Sequence, residues 1–169
     1  AELAGERNLP ILVLAGLGNN GGDAFEAAGL LRQRFFDVRV VFTGDTSHLP
    51  KDAAEAHQRF IAAGGSTLEN IPAETRWSLI IDGLFGIGLT RAPENTYAEW
   101  IATANQLAER DHCPLLALDC PSGLNADTGQ VLGNPICASH TLTFISAKPG
   151  LLTADGPDLC GKIRVAKLE

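Results

Sequence analysis

Five polar residues, far apart along the chain, share one kind of setting. Asn19, Asn20, Asp82, Asp119 and Ser122 each come at or just after the end of a short apolar run. Carboxamides offer carbonyl oxygens to a cation and N–H donors to a sugar or phosphate. Carboxylates carry protons or ligate cations, and a hydroxyl does either more weakly. An acidic residue directly after a buried run, as Asp82 is, must be paired, capped or coordinated. Capping of the next turn and ligation of a cation are both open for it. Ser122 has no G-x-S-x-G elbow around it, which argues against a hydrolase nucleophile.

Two glycine-rich turns accompany these residues. Gly16-Leu17-Gly18-Asn19-Asn20-Gly21 fits the dinucleotide pattern G-x-G-x-x-G between an apolar run and a helical pattern. By itself the pattern also describes a tight strand–helix turn with no ligand. Free N–H groups and the dipole at the helix start would suit an anion. Gly83, Gly86 and Gly88 form the second turn, followed by Thr90 and by Arg91, which could meet a phosphate.

The elements that must hold these residues alternate. Branched apolar runs at Ile11–Ala15, at Leu79–Ile81 and from Pro114 to an end in Asp119 read as strands buried on both faces, with further strands at Val38–Phe42, near Ser66–Leu68, at His140–Ile145 and at Ile163–Val165. Helical spacing predicts Asp23–Phe36, with Ala24, Ala27, Ala28, Leu31 and Phe35 on one face. It also predicts Pro50–Ala63 and Glu94–Glu109, with Pro93 in the first turn of the last, and residues 1–8 read as the tail of a helix. Asp45 reads as a loop or capping residue, being too far from the glycines to read a ribose. His57 reads as a solvated helix-face histidine, His140 as structural, and Lys148 as equally suited to the cleft or to solvent. The alternation implies an α/β fold with a mostly parallel, doubly wound sheet. In such sheets ligands bind beyond the carboxyl ends of the strands. One edge would then gather two amides, two carboxylates and a hydroxyl.

The chain's 169 residues suit one domain, and its 45% apolar and 20% charged content is ordinary for a globular protein. A net charge of −7 without any Lys/Arg cluster excludes a nucleic-acid surface. No apolar run is long enough to span a bilayer, and a cytoplasmic location is the expectation. The four cysteines have neither C-x-x-C nor zinc spacing and read as reduced thiols.

GLGNNGGDA, IIDGLFGIGL, LALDCPSGLNADTG and TLTFISAKPGL together resemble the successive signatures of YjeF N-terminal domains, the NAD(P)HX epimerases, from Ile11 to about Val165. The resemblance implies a Rossmann-like three-layer αβα sandwich. It implies interconversion of the R and S forms of hydrated NADH and NADPH, with the S form passing to a fused or separate dehydratase. It implies a potassium ion held by Asn20, Asp82 and Ser122. Substrate contacts carry over to Asn19, Asn20, Gly21, Gly22 and Asp23, to Gly86, Ile87, Gly88, Leu89, Thr90 and Arg91, and to Asp119. Asp119 is the candidate general acid/base. The family pattern has glycine where Ala24 stands. It also has a further N-terminal helical segment, so residues 1–169 read as one domain that is a fragment, and a homodimer as its expected assembly. A non-catalytic scaffold of the same fold and an ordinary NAD-dependent dehydrogenase are the competing classes. The second lacks a ribose-reading acid and a hydride-site histidine.

Overall fold

In a computed structural model the protein is described over residues 2–5 and 8–167. Seven parallel strands form one sheet: β1 (Ile11–Ala15), β2 (Val38–Phe42), β3 (Thr67–Leu68), β4 (Leu79–Gly83), β5 (Leu115–Leu118), β6 (His140–Phe144) and β7 (Lys162–Ala166), in the order β3-β2-β1-β4-β5-β6-β7. The chain runs outward from β1 to β3, then crosses back to place β4 on the other side of β1. That reversal opens a crevice at the carboxyl ends of β1 and β4, where Ala15 lies opposite Gly83.

Alternation along β1 assigns the two faces. Ile11, Val13 and Ala15 pack with Ala24, Phe25 and Ala28 of α1 (Asn19–Gln33) and Ala53 and Phe60 of α2 (Lys51–Ala62). Leu12 and Leu14 face Trp100, Ile101 and Ala104 of α3 (Asn95–Asp111). The result is a three-layer sandwich. A third cluster, Cys120, Leu124, Ala126, Leu151 and Cys160, packs beneath the loop after β5, with the one-turn helices α4 (Pro149–Leu152) and α5 (Gly156–Leu159). Among the described residues no helix is long and apolar enough to cross a membrane.

Several local expectations are corrected. The first helix begins at Asn19, four residues before Asp23, so the Asn and Gly pairs are its first turn. It ends at Gln33. Phe35 lies beyond it with φ 65° and is 96% exposed, outside the apolar face assigned to it. Asp82 belongs to β4 itself rather than following it. Pro93 precedes α3, whose capping residue is Glu94. The expected helix tail before β1 is a turn at residues 2–3, and Ala1, Glu6 and Arg7 lie outside the described residues. His57 is half-buried, its ring 4.9 Å from that of Phe25 and 5.9 Å from that of Phe42, and burial holds its imidazole below the usual range. Asp45 caps a short 3-10 turn by accepting from Ser47 N, as expected.

Candidate active site

Asp82 is held near the carboxyl end of β4 by three donors. Oδ1 accepts from Ser122 Oγ at 2.7 Å and Leu84 N at 3.2 Å, and Oδ2 accepts from Ser122 N at 2.8 Å. Ser122 Oγ in turn accepts from Phe85 N at 3.0 Å. Both residues are 0% exposed. Burial pushes the Asp82 carboxyl up to about 6, against the pull of the Ser122 and Leu84 donors. Among the described residues no basic side chain pairs with it. Asp82 thus caps the turn after β4 and keeps unused lone pairs in a dry site.

Asn20 lies on the first turn of α1 and is 6% exposed. Neither its Oδ1 nor its Nδ2 has a hydrogen-bond partner. A buried amide with both ends unsatisfied is costly, and it calls for a ligand. The β4–α3 loop joins these groups. A Cβ on Gly86 would sit 3.3 Å from Asp119 Oδ2 and 3.4–3.5 Å from Asn20 Cβ and Cγ. Leu84, Phe85 and Gly86 therefore run from the Asp82–Ser122 pair to the Asn20 and Asp119 side chains.

Asp119 follows β5 with φ 64°, an unusual conformation for a residue with a side chain. Its Oδ1 accepts from Thr143 Oγ1 at 3.2 Å and pairs with Lys148 Nζ at 2.6 Å. Partial burial, and then the like charge of Asp119, hold the carboxyl of Asp23 above its usual range, though Asp23 counts among the exposed residues.

The glycine turn is built by close backbone approach. A Cβ on Gly16 would fall 1.9 Å from Leu84 O, and one on Gly21 1.9 Å from Gly16 O. Gly18, by contrast, has open space and no side-chain cap to offer α1; its carbonyl takes the Gly21 and Gly22 amides, which leaves those of Asn19 and Asn20 to a ligand or solvent.

Of the expected substrate contacts, Asn19, Asp23, Ile87, Gly88, Thr90 and Arg91 are exposed, while Gly21, Gly22 and Leu89 are buried. Arg91 lines a cavity of about 240 Å³ with Phe85, Leu89 and Tyr97 on the α3 side of the loop. Lys148 and Thr143 are the site neighbours that the sequence reading left undecided or unmarked. The available signal is a lysine inside an S-A-K-P-G turn next to a strand end.

Among the described residues, no group of three or more His, Cys, Asp or Glu side chains could hold a metal ion. The donors present are one carboxylate, one hydroxyl and an orphaned carboxamide. That set fits a hard cation of low charge, which needs oxygens and little compensating charge.

The YjeF-related protein N-terminus family model matches residues 4–150. An NAD(P)H-hydrate epimerase of Achromobacter xylosoxidans (strain A8) is 46% identical over 152 residues, covering 89% of this chain and 71% of the relative. One of Bordetella pertussis (strain Tohama I) is 43% identical over 156 residues, 90% of this chain and 66% of that protein. The bifunctional NAD(P)H-hydrate repair enzyme Nnr of Escherichia coli (strain K12) is 39% identical over 158 residues, 93% of this chain but 30% of that longer protein. The crystal structure of yeast ynu0 superposes with a TM-score of 0.75 at 18% identity, covering 96% of this chain and 66% of the yeast chain, a likeness of fold. A match that takes in β1 through β6, with the Asn19–Asp23, Asp82 and Asp119–Ser122 segments in order inside it, makes this chain a member of the YjeF-related protein N-terminus family.

Proposed function

We propose that this chain is an NAD(P)H-hydrate epimerase, an isomerase that interconverts the R and S forms of hydrated NADH or NADPH. The observation that carries the reading is the meeting at Gly86: the Asn20 amide and the Asp119 carboxylate both border this one residue of the β4–α3 loop. The uncapped first turn of α1 would meet the pyrophosphate, with Gly18 leaving room for close approach. Asn20, Asp82 and Ser122 would hold a potassium ion, supported by the orphaned amide and the unpaired buried carboxylate. Such an ion supplies positive charge and fixes oxygen ligands beside the substrate.

Asp119 acts as general acid/base. Inverting a carbon that bears both a hydroxyl and the ring nitrogen balances through ring opening. The carboxylate takes the hydroxyl proton through its cleft-facing oxygen as the ring C–N bond breaks, its electron pair going to the nitrogen and the carbon becoming an aldehyde; the nitrogen then re-adds to the other face of that aldehyde, and the carboxyl returns the proton to the oxygen. The S form then passes to a dehydratase, fused or separate.

Conversion of R-NADHX to S-NADHX, followed by chromatography of the epimers, tests this. Wild type should accelerate it, and Asp119→Asn should be slower by about 10²–10⁴-fold, the usual worth of a positioned acid/base group. Equal rates would remove Asp119 from the mechanism, and no acceleration by wild type would remove the activity.

A further inference from the structure

Lys148 is tethered in a way a solvated lysine is not. Its Nζ meets Asp119 Oδ1 at 2.6 Å, Phe144 O at 2.8 Å, Thr143 Oγ1 at 3.0 Å and Ser146 O at 3.3 Å. An ammonium has three N–H donors, so these oxygens use all of them. The side chain is 17% exposed, and that of Asp119 is 13% exposed. The two carbonyls reach the ammonium because the chain turns back after β6 at Ile145, a branched residue with φ 69°. Ser146 N closes the turn on Phe144 O at 2.8 Å. Asp119, at the end of the neighbouring strand, is in the same left-handed region. Left-handed backbone at two non-glycine residues is paid for by surrounding structure and gathers at functional sites.

The cage divides the Asp119 carboxylate. Oδ1 is occupied by Lys148 and by the Thr143 hydroxyl. Oδ2 looks toward Gly86 and the Asn20 side chain. We propose that Lys148 is a positioning residue for the epimerisation: caged by the β6 turn, it clamps Asp119 through Oδ1, so that Oδ2 alone is presented to the reacting hydroxyl. This rests on the reading of Asp119 as the acid/base.

Steady-state kinetics on R-NADHX with Lys148→Met, Lys148→Arg, Asp119→Asn and the Lys148→Met/Asp119→Asn pair test it. Loss of alignment at a reacting oxygen costs on the order of 10²-fold. Lys148→Met should therefore lose about that factor in kcat while KM changes less than about threefold. Lys148→Arg should recover part of the loss, and Lys148→Met should add nothing once Asp119 is Asn. A full kcat in Lys148→Met, an effect confined to KM, or an equal further loss in the Asp119→Asn background would each overturn the positioning role. Wild-type turnover by Asp119→Asn would instead sink the acid/base reading, and this inference with it. Should Lys148→Met fail to fold, Thr143→Val removes the other donor to Oδ1 with little change of shape. A lowered kcat at unchanged KM supports the clamp, and an unchanged kcat overturns it.

Discussion

Burying a side-chain amide without replacing its hydrogen bonds costs about 1–3 kcal/mol, and Asn20 is buried in that state. Removing the amide should then leave the cation-free protein as stable as before, or more so. Asn20→Ala in choline buffer is expected to melt no lower than wild type. Potassium at about a hundred times its dissociation constant should raise the wild-type Tm by roughly 5–10 °C, and the variant's far less. A large loss of stability in choline would show that the amide already has its partners. Asp82 gives the pH counterpart. Its native carboxyl keeps a proton up to about 6, whereas the ordinary value is 3.8. The native state holds more protons than the unfolded chain in that window. Stability therefore falls as pH rises through it and is level above, until a cation takes the proton's place. Melts at about pH 5 and about pH 7.5 should show a larger potassium effect at the higher pH, and Asp82→Asn should erase the difference. The sequence marks Asp82 and the Asn pair as groups needing a partner. It does not tell which asparagine is buried, because that depends on where α1 starts, and two glycines disguise its first turn.

Strands and helices place these residues through contacts too close for side chains. The β4–α3 loop carries glycines at 86 and 88 with opposite surroundings: a Cβ at 86 would press on Asp119 Oδ2 and Asn20, and one at 88 meets nothing within 4 Å. Gly86→Ala is expected to lower epimerase activity at least tenfold with little loss of stability, since its neighbours are side chains that can shift. Gly88→Ala should be near neutral. Equal activity of the two, measured beside their melting temperatures, would mean that the loop does not form the wall between Asn20 and Asp119. The central strands β1 and β4 are legible because apolar runs on a covered parallel sheet do not alternate with polar residues, whereas β6 and β7, nearer the edge, show through alternation and β-branched residues. The ends of elements are not legible. Phe35 looks like one more residue of the α1 face, yet the helix stops at Gln33 and the next turn is left-handed. Lys148 is undecided for the same reason. Its reach depends on a left-handed Ile145, a conformation against that residue's own preference.

Across the whole molecule the chemistry-bearing groups sit at the carboxyl edge. A cavity of about 540 Å³ elsewhere, lined by Leu31, Leu79, Ile81, Leu116 and Leu118 with Glu2 and Arg164, contains none of them. The loop from Asp119 to Ser122 ties the edge to the rest, because Cys120 between them is a member of the third apolar cluster with Leu151 and Cys160. All four cysteines are free. Cys137 is exposed and Cys113 half-buried, while Cys120 and Cys160 are buried. Burial pushes the Cys113 and Cys160 thiols up to about 11 and drives Cys120 upward further still. Thiolate is the reactive form, so the buried pair can react only when the cluster opens. A disulfide exchange reagent at about pH 8 should therefore modify Cys137 first, Cys113 more slowly, and Cys120 and Cys160 last. On the proposed function, dinucleotide and potassium would bind the edge that the Cys120 loop helps to form, so together they should slow the last phase and leave the Cys137 rate unchanged. The slowing should equal the added stability if the same opening exposes both the site and the thiol. Reaction of Cys120 as fast as Cys137 in the native protein, read by mass spectrometry of the labelled peptides, would mean that the site loop is not anchored on that cluster.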